Sequence, residues 1–263
     1  MFQEKINNVI SEGYSLNLSE IVSNAYNIVV KKLLLKSILF MLLYLAISIT
    51  VQYISYWIAG VDIQEVFSTY LELASSGNIE RLPAYITSIE SELNTASMIS
   101  TVFSLLVIPL TIGYVEMVKN ADLGLNHSFS DLFKPYKSSK LLGLIMIYIT
   151  IIILSVVGIM LCVLPGFYIM TALSLAPMIY WFNDQVSFGE SLTGSLKVVN
   201  KNFFNVFFTL IILSLISVVG MLMCYIGIFV TVPITYAGFY FMYKQIFMKK
   251  EHYDEIEEIG GVS

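Results

Sequence analysis

Four stretches of this chain hold no Asp, Glu, Lys or Arg, and their lengths constrain the fold more than any other feature. They lie between Lys36 and Asp62 (25 residues), Glu92 and Glu116 (23), Lys140 and Asp184 (43), and Lys201 and Lys244 (42). A hydrocarbon core of roughly 30 Å needs about 20 helical residues at about 1.5 Å each. The first two stretches each fit one span, and the last two each fit two spans and a tight turn. Val163-Leu164-Pro165-Gly166 and Cys224-Tyr225-Ile226-Gly227 supply the turn residues. The spacing predicts six transmembrane helices, near 36–58, 96–118, 141–163, 166–183, 203–224 and 227–247. The runs are continuously apolar rather than alternating, which argues against a β-barrel. The first run follows a mostly polar segment, is too long for a signal-peptide core and lacks an A-x-A exit, so it is expected to stay in the mature protein.

Composition agrees. Of 263 residues, 13% are charged and 57% apolar, against roughly 25% charged in soluble domains. That balance excludes a soluble enzyme or a disordered chain, and the net charge of −5 excludes a nucleic-acid partner. The expected fold class is an all-α integral membrane protein. Residues 1–248 would form one six-span domain with an outer loop at 60–95, followed by an acidic tail at 249–263.

With both termini in the cytoplasm, 13 of the 14 basic residues fall on the inner side. The remaining one, Arg81, lies in the long outer loop beside Asp62, Glu65, Glu72, Glu80, Glu90 and Glu92. This is a strong positive-inside bias and places the chain in an inner, cytoplasmic membrane. Lysine outnumbers arginine 13 to 1, a composition that points to an AT-rich bacterial genome. Within the loop, Leu82, Tyr85, Ile86, Ile89 and Leu93 recur at helical spacing, so helix is expected there.

A repeat runs through the chain. Leu18-Ser19-Glu20-Ile21-Val22, Phe129-Ser130-Asp131-Leu132-Phe133 and Phe188-Gly189-Glu190-Ser191-Leu192 each read apolar, small, acidic, and each precedes lysines and a span. The first continues as an amphipathic helix with Leu18, Ile21, Val22, Ala25, Ile28 and Val29 on its apolar side. In the third, Phe188, Leu192, Leu196 and Val199 form that side. In the second, Pro135 cuts the helix short. Ser19 and Ser130 are the expected N-caps. Farther on, Ser155-Val156-Val157-Gly158 with Cys162 recurs as Ser217-Val218-Val219-Gly220 with Cys224. The second helix of every hairpin carries an interior proline: Pro109, Pro177 and Pro233. Glu116, Asp184 and Tyr240 follow seven residues later. Three units of interfacial helix plus hairpin are expected, at about 15–120, 126–185 and 186–248.

The order of amphipathic helix, lysines, hairpin, Leu-Pro-Gly turn, Pro177 with Asp184, then 188–192 with Ser195 and a new span resembles an uncharacterised bacterial multi-pass family. It is similar to the membrane domain of some glycerophosphodiester phosphodiesterases and to the YciC-type inner-membrane proteins. The resemblance covers about residues 15–250. It implies a six-helix inner-membrane module and brings no catalytic residues. The phosphodiesterase barrel itself has no counterpart here, since there is no His-Arg-Gly start and no room for it.

Chemistry-bearing motifs are scarce. His127 and His252 are the only histidines, and no His-Glu-x-x-His, Cys-x-x-Cys or P-loop occurs. No cofactor, no metal and no catalytic residue is expected. Glu116, Asp184 and Lys244 sit at inner span ends and admit two readings: interfacial ion pairs with lysines, or a polar cluster at the mouth of a cavity. Pro109, Pro177 and Pro233 are expected kinks. Cys162 and Cys224 could pair on an oxidising side. Gly158-x-x-x-Cys162 and Gly220-x-x-x-Cys224 also read as small-x-x-x-small packing pairs, which the spacing favours. No charge lies near the middle of any span, which argues against a proton-coupled carrier.

The leading expectation is a non-enzymatic module in envelope or lipid homeostasis or membrane scaffolding, with membrane lipids and other membrane proteins as partners. The alternative is a transporter or channel-like protein for a lipid or small apolar solute. That alternative expects a cavity lined by Pro109, Pro177 and Pro233.

Overall fold

The computed structural model describes residues 2–222 and 226–248. Cys224, His252 and the acidic tail 249–263 lie outside the described residues. Among the described residues every regular element is helical. The chain divides into two compact units, Leu43–Ile108 and Met1–Leu42 with Pro109–Ser263. The sequence reading expects one domain of three units, and the division falls elsewhere.

The smaller unit contains most of α3 (Leu34–Ala59), then α4 (Ile63–Ser75), α5 (Leu82–Ser88) and α6 (Glu90–Ser104). Gly60, at φ 80°, ends α3 in a left-handed turn, and the Val61 N–H closes back on the Tyr56 carbonyl at 2.9 Å. Asp62 then caps α4, its Oδ1 accepting from the Gln64 and Glu65 N–H groups at 2.8 and 3.2 Å. The loop expected to be helical is helical, and neither α4 nor α5 buries a residue.

In the larger unit, α1 (Phe2–Glu12) and α2 (Leu18–Asn27) come first. The set then continues with α7 (Ile108–Asp122), α8 (Lys134–Lys137), α9 (Leu141–Leu161), α10 (Val163–Ala172), α11 (Ala176–Phe182), α12 (Phe188–Lys201), α13 (Phe203–Leu222) and α14 (Ile228–Phe247). Helices α7 and α14 form the centre, each burying eleven residues. Phe40 stacks on Tyr114 at 4.4 Å between ring centroids, and the Tyr114 and Ser37 hydroxyls share a buried hydrogen bond of 2.7 Å. Helix α2 buries Ile21 and Ala25 and packs on α14.

Five segments are long and apolar enough to cross a membrane: Leu34–Ala59, Glu90–Asp122, Leu141–Leu161, Val163–Phe182 and Phe203–Leu222. The sixth expected span, α14, is a helix of 20 residues but less apolar, since Tyr236, Tyr240, Tyr243, Lys244 and Gln245 dilute it. A helix surrounded by its own protein does not need a lipid-facing surface all round.

Details correct the sequence reading. The N-cap of α2 is Asn17, whose Oδ1 accepts from the Glu20 N–H at 3.1 Å, and not Ser19. In the second repeat the cap is Ser128, whose N–H donates to Asp131 Oδ2 at 3.0 Å, and not Ser130. In the third, Ser187 and Glu190 form a full capping box. The repeated motif is therefore a cap residue three positions before the acid. The second interfacial helix is short, as expected: α8 has four residues, with Pro135 in its first turn and an extended Ser138 ending it. The hairpin of α9 and α10 turns at Cys162 alone, and Val163-Leu164-Pro165-Gly166 already belongs to α10. Pro is tolerated there because first-turn N–H groups lack intrahelical partners.

The apolar side assigned to α12 is also revised. It buries Ser191, Gly194, Ser195, Val198 and Val199, while Leu196 stays 38% exposed. Small residues let this helix approach closely: a Cβ on Gly194 would meet Ile6 Cδ1 at 2.8 Å.

Candidate functional site

Two of the three prolines interrupt their helices. Residues 105–107 separate α6 from α7 ahead of Pro109, and 173–175 separate α10 from α11 ahead of Pro177. Proline removes an N–H and crowds the preceding turn, so the ladder is cut there. Pro233 lies inside an unbroken α14. At the Pro177 break the loose backbone groups are taken up by α12. Ser195 Oγ donates to the Ala172 carbonyl at 2.8 Å and accepts from the Leu175 N–H at 3.3 Å.

Beside this break lies a cavity of about 570 Å³, within the range of small-molecule sites. Helix α7 contributes Thr111, Ile112 and Val115, α9 Tyr148 and Ile151, α10 Phe167, Met170 and Thr171, α11 Pro177 and Met178, α13 Phe207 to Val218 on one face, and α14 Tyr236 and Phe239. Ser174, from the break itself, completes the wall. The lining is mainly apolar, and its polar atoms are hydroxyls. Tyr148 and Thr111 are hydrogen-bonded to each other. Of the expected prolines only Pro177 lines this cavity; Pro109 and Pro233 do not.

The same helices carry a charged collar beyond the cavity. Glu116 follows Val115 on α7, and its Oε2 accepts from the Trp181 indole N–H at 3.1 Å. Lys119 and Lys134 flank it, each at 3.9 Å, and Lys119 Nζ sits 4.5 Å from the Phe182 ring centre. Asp184 pairs with Lys140 at 2.8 Å, although Asp184 is 98% exposed and Lys140 only 15%. Lys140 Nζ also donates to the carbonyls of Tyr180, Trp181 and Asn183 at 3.1–3.2 Å, closing the C-terminus of α11. The Lys140 hydrogen bond and charge, with Lys119 adding to them, hold the Asp184 carboxyl below its ordinary value.

Lys244 joins neither Glu116 nor Asp184. Its partner is Asp122, at 2.6 Å, which also accepts from the Tyr240 hydroxyl at 2.8 Å. The sequence reading did not single out Asp122. No local signal marks it, because its partner is 122 residues away. Asp131 is the buried acid of the collar. It accepts from Ser128 N–H (3.0 Å) and the Asn120 amide (3.3 Å) and pairs with Lys134 (3.0 Å). Burial pushes its pKa up, but the Lys134, Ser128 and Asn120 contacts outweigh burial and hold it below the usual aspartate value.

The close-packing pairs differ from the expected ones. A Cβ on Gly158 would meet Gly166 N and Cα at 2.8 and 2.9 Å, and one on Gly227 would meet Gly220 O and Cα at 2.7 and 2.8 Å. The α9–α10 and α13–α14 hairpins are thus each closed by a glycine pair across the turn. Cys162 is exposed at the turn and takes no part in this contact.

Among the described residues no group of three or more His, Cys, Asp or Glu side chains could hold a metal ion. The arrangement offers apolar contact and hydroxyls inside the cavity, and paired charges beyond it. Comparison with protein-family models, with curated proteins and with solved structures gives no match.

Proposed function

We propose that this chain is a six-span protein of the bacterial inner membrane, both termini cytoplasmic, that holds a lipid-like or small apolar molecule between its helices without making or breaking its bonds. The cavity beside the Pro177 break carries this reading. A pocket of this size, apolar and bounded by a broken helix, suits a ligand drawn from the surrounding bilayer. The outward surface fits that setting: Leu142, Met160, Leu161, Leu164, Phe204 and Leu222 are each more than 70% exposed, which water would not tolerate across so many positions. The lysines of the collar lie on the side that the positive-inside rule gives to the cytoplasm. A role in envelope or lipid homeostasis follows, as a carrier or a lipid-responsive module. The likeness to the phosphodiesterase membrane domain and YciC-type proteins accords with this and rests on motif order alone.

Scaffolding for other membrane proteins is the second reading. It rests on the interfacial amphipathic helices with lysines at the anionic leaflet and on the scarcity of chemistry-bearing motifs. Here Ile21, Ala25, Val198 and Val199 are fully buried, so the apolar faces of these helices are occupied within the chain, which favours the lipid-binding reading.

Native mass spectrometry of protein extracted in mild detergent tests it. The wild type is expected to retain a lipid that an Ile211→Trp variant, with the cavity filled, releases. A wild type that emerges lipid-free, or a variant that retains the same lipid, would overturn the proposal.

A further inference from the structure

Helix α4 is sharply divided by side. At about 3.6 residues per turn, Ile63, Phe67, Tyr70, Leu71 and Ala74 fall on one side, and Gln64, Glu65, Ser68, Glu72 and Ser75 on the other. Helices α1, α2 and α12 are amphipathic as well, and each turns apolar residues into the chain: Ile6 and Val9, Ile21 and Ala25, Val198 and Val199 are buried. Helix α4 buries no residue. Ile63, Phe67, Tyr70 and Leu71 stay 38–61% exposed.

The place where α4 starts fixes what can cover that side. Helix α3 runs 26 residues from Leu34, with Lys36 in its first turn. About 20 residues cross a hydrocarbon core, so its last turns reach the opposite interface. Tyr53 and Trp57 stand there 63% and 76% exposed, and such aromatic side chains settle at headgroup level. Gly60, Val61 and Asp62 alone separate α3 from α4. Extended chain covers at most roughly 3.5 Å per residue, so α4 begins within about 14 Å of the end of α3. A second copy of the chain is a poor cover. At about 150–250 Å² for a large side chain, the four exposed residues offer roughly 400 Å², half of the about 800 Å² that each partner gives to a stable interface.

Resting on the six-span reading above, we propose that α4 lies in the headgroup layer of the outer leaflet. Ile63, Phe67, Tyr70 and Leu71 dip into the acyl boundary, and Glu65 and Glu72 stay in water. The occupant of this face is the lipid surface itself, reached by the same chain that has just crossed the bilayer as α3.

Spin labels on the full chain in phosphatidylcholine vesicles test the assignment. After Cys162→Ser and Cys224→Ser, single cysteines are introduced as Phe67→Cys, Ala74→Cys and Glu72→Cys, all on a helix without buried residues. Ile49→Cys, at a position 68% exposed in mid α3, is the reference for lipid. The Phe67→Cys and Ala74→Cys labels are expected to collide several times more with oxygen, which concentrates in lipid, than with a water-soluble nickel chelate. The Glu72→Cys label should show the reverse. If the Ile49→Cys label sits in lipid and the three α4 labels give equal collision ratios, this inference is overturned and the membrane reading stands. A Phe67→Cys label shielded from both reagents, as a covering protein would shield it, also overturns it. An Ile49→Cys label in water would overturn both.

Discussion

Ser195 on α12 supplies through its hydroxyl partners for the backbone that opens ahead of Pro177: Oγ bridges the Ala172 carbonyl at 2.8 Å and the Leu175 N–H at 3.3 Å. Ser195→Ala leaves one buried acceptor and one buried donor unpaired. Each orphaned group costs about 1–3 kcal/mol. The variant is expected to unfold well below the wild type in a detergent thermal melt, while a hydroxyl-retaining Ser195→Thr loses less.

Lys140 and Asp184 form one ion pair with two unequal ends. Lys140 also closes three carbonyls of α11 from a largely buried position, whereas Asp184 faces solvent. Lys140→Met should lower the melting temperature measurably. Asp184→Asn should leave it unchanged within error.

Asp131 gives a pH dependence. Its folded pKa lies below the unfolded one, so the unfolded chain binds the proton more readily. The stabilisation is complete above the ordinary aspartate range and is lost as pH falls through the depressed folded value. Wild type and Asp131→Asn should differ most in melting temperature near neutral pH, and the gap should close in strong acid. A constant gap across pH would refute the assignment.

Two glycines should respond with opposite sign. Gly158→Ala drives a Cβ into the backbone of Gly166, which cannot move without opening the hairpin. A loss of about 1–3 kcal/mol is expected from such overpacking. A Cβ on Gly189 meets nothing within 4 Å, so Gly189→Ala should raise stability by up to about 1 kcal/mol through helix propensity. Paired thermal melts check both.

Charge-free stretches made the helices legible, because burying a charge in hydrocarbon is costly and its absence is visible residue by residue. Proline behaviour was less so. Pro177 and Pro233 look alike in sequence, yet one breaks its helix and the other does not. The difference involves Ser195, which bonds to backbone that Pro177 loosens and stands on another helix. The capping motif was found but misread by two positions, since Ser19 and Asn17 both suit a cap and only the backbone decides. Helix α1 was missed, although Phe2, Ile6, Val9 and Ile10 carry helical spacing among polar residues. The buried face of α12 was misassigned because apolarity alone favoured Leu196. Close packing instead selected Gly194 and Ser195. Of the site, Pro177 was anticipated, while Asp122 depends on a partner that only three-dimensional neighbours define.

The N-terminal helices reach their places through the last helix. Asn17 N–H bonds to Gln245 Oε1 at 2.9 Å, across 228 positions, and α1 and α2 both pack on α14. During synthesis α2 is therefore made long before α14, the helix that covers it. Docking of the two is consequently a late, long-range closure.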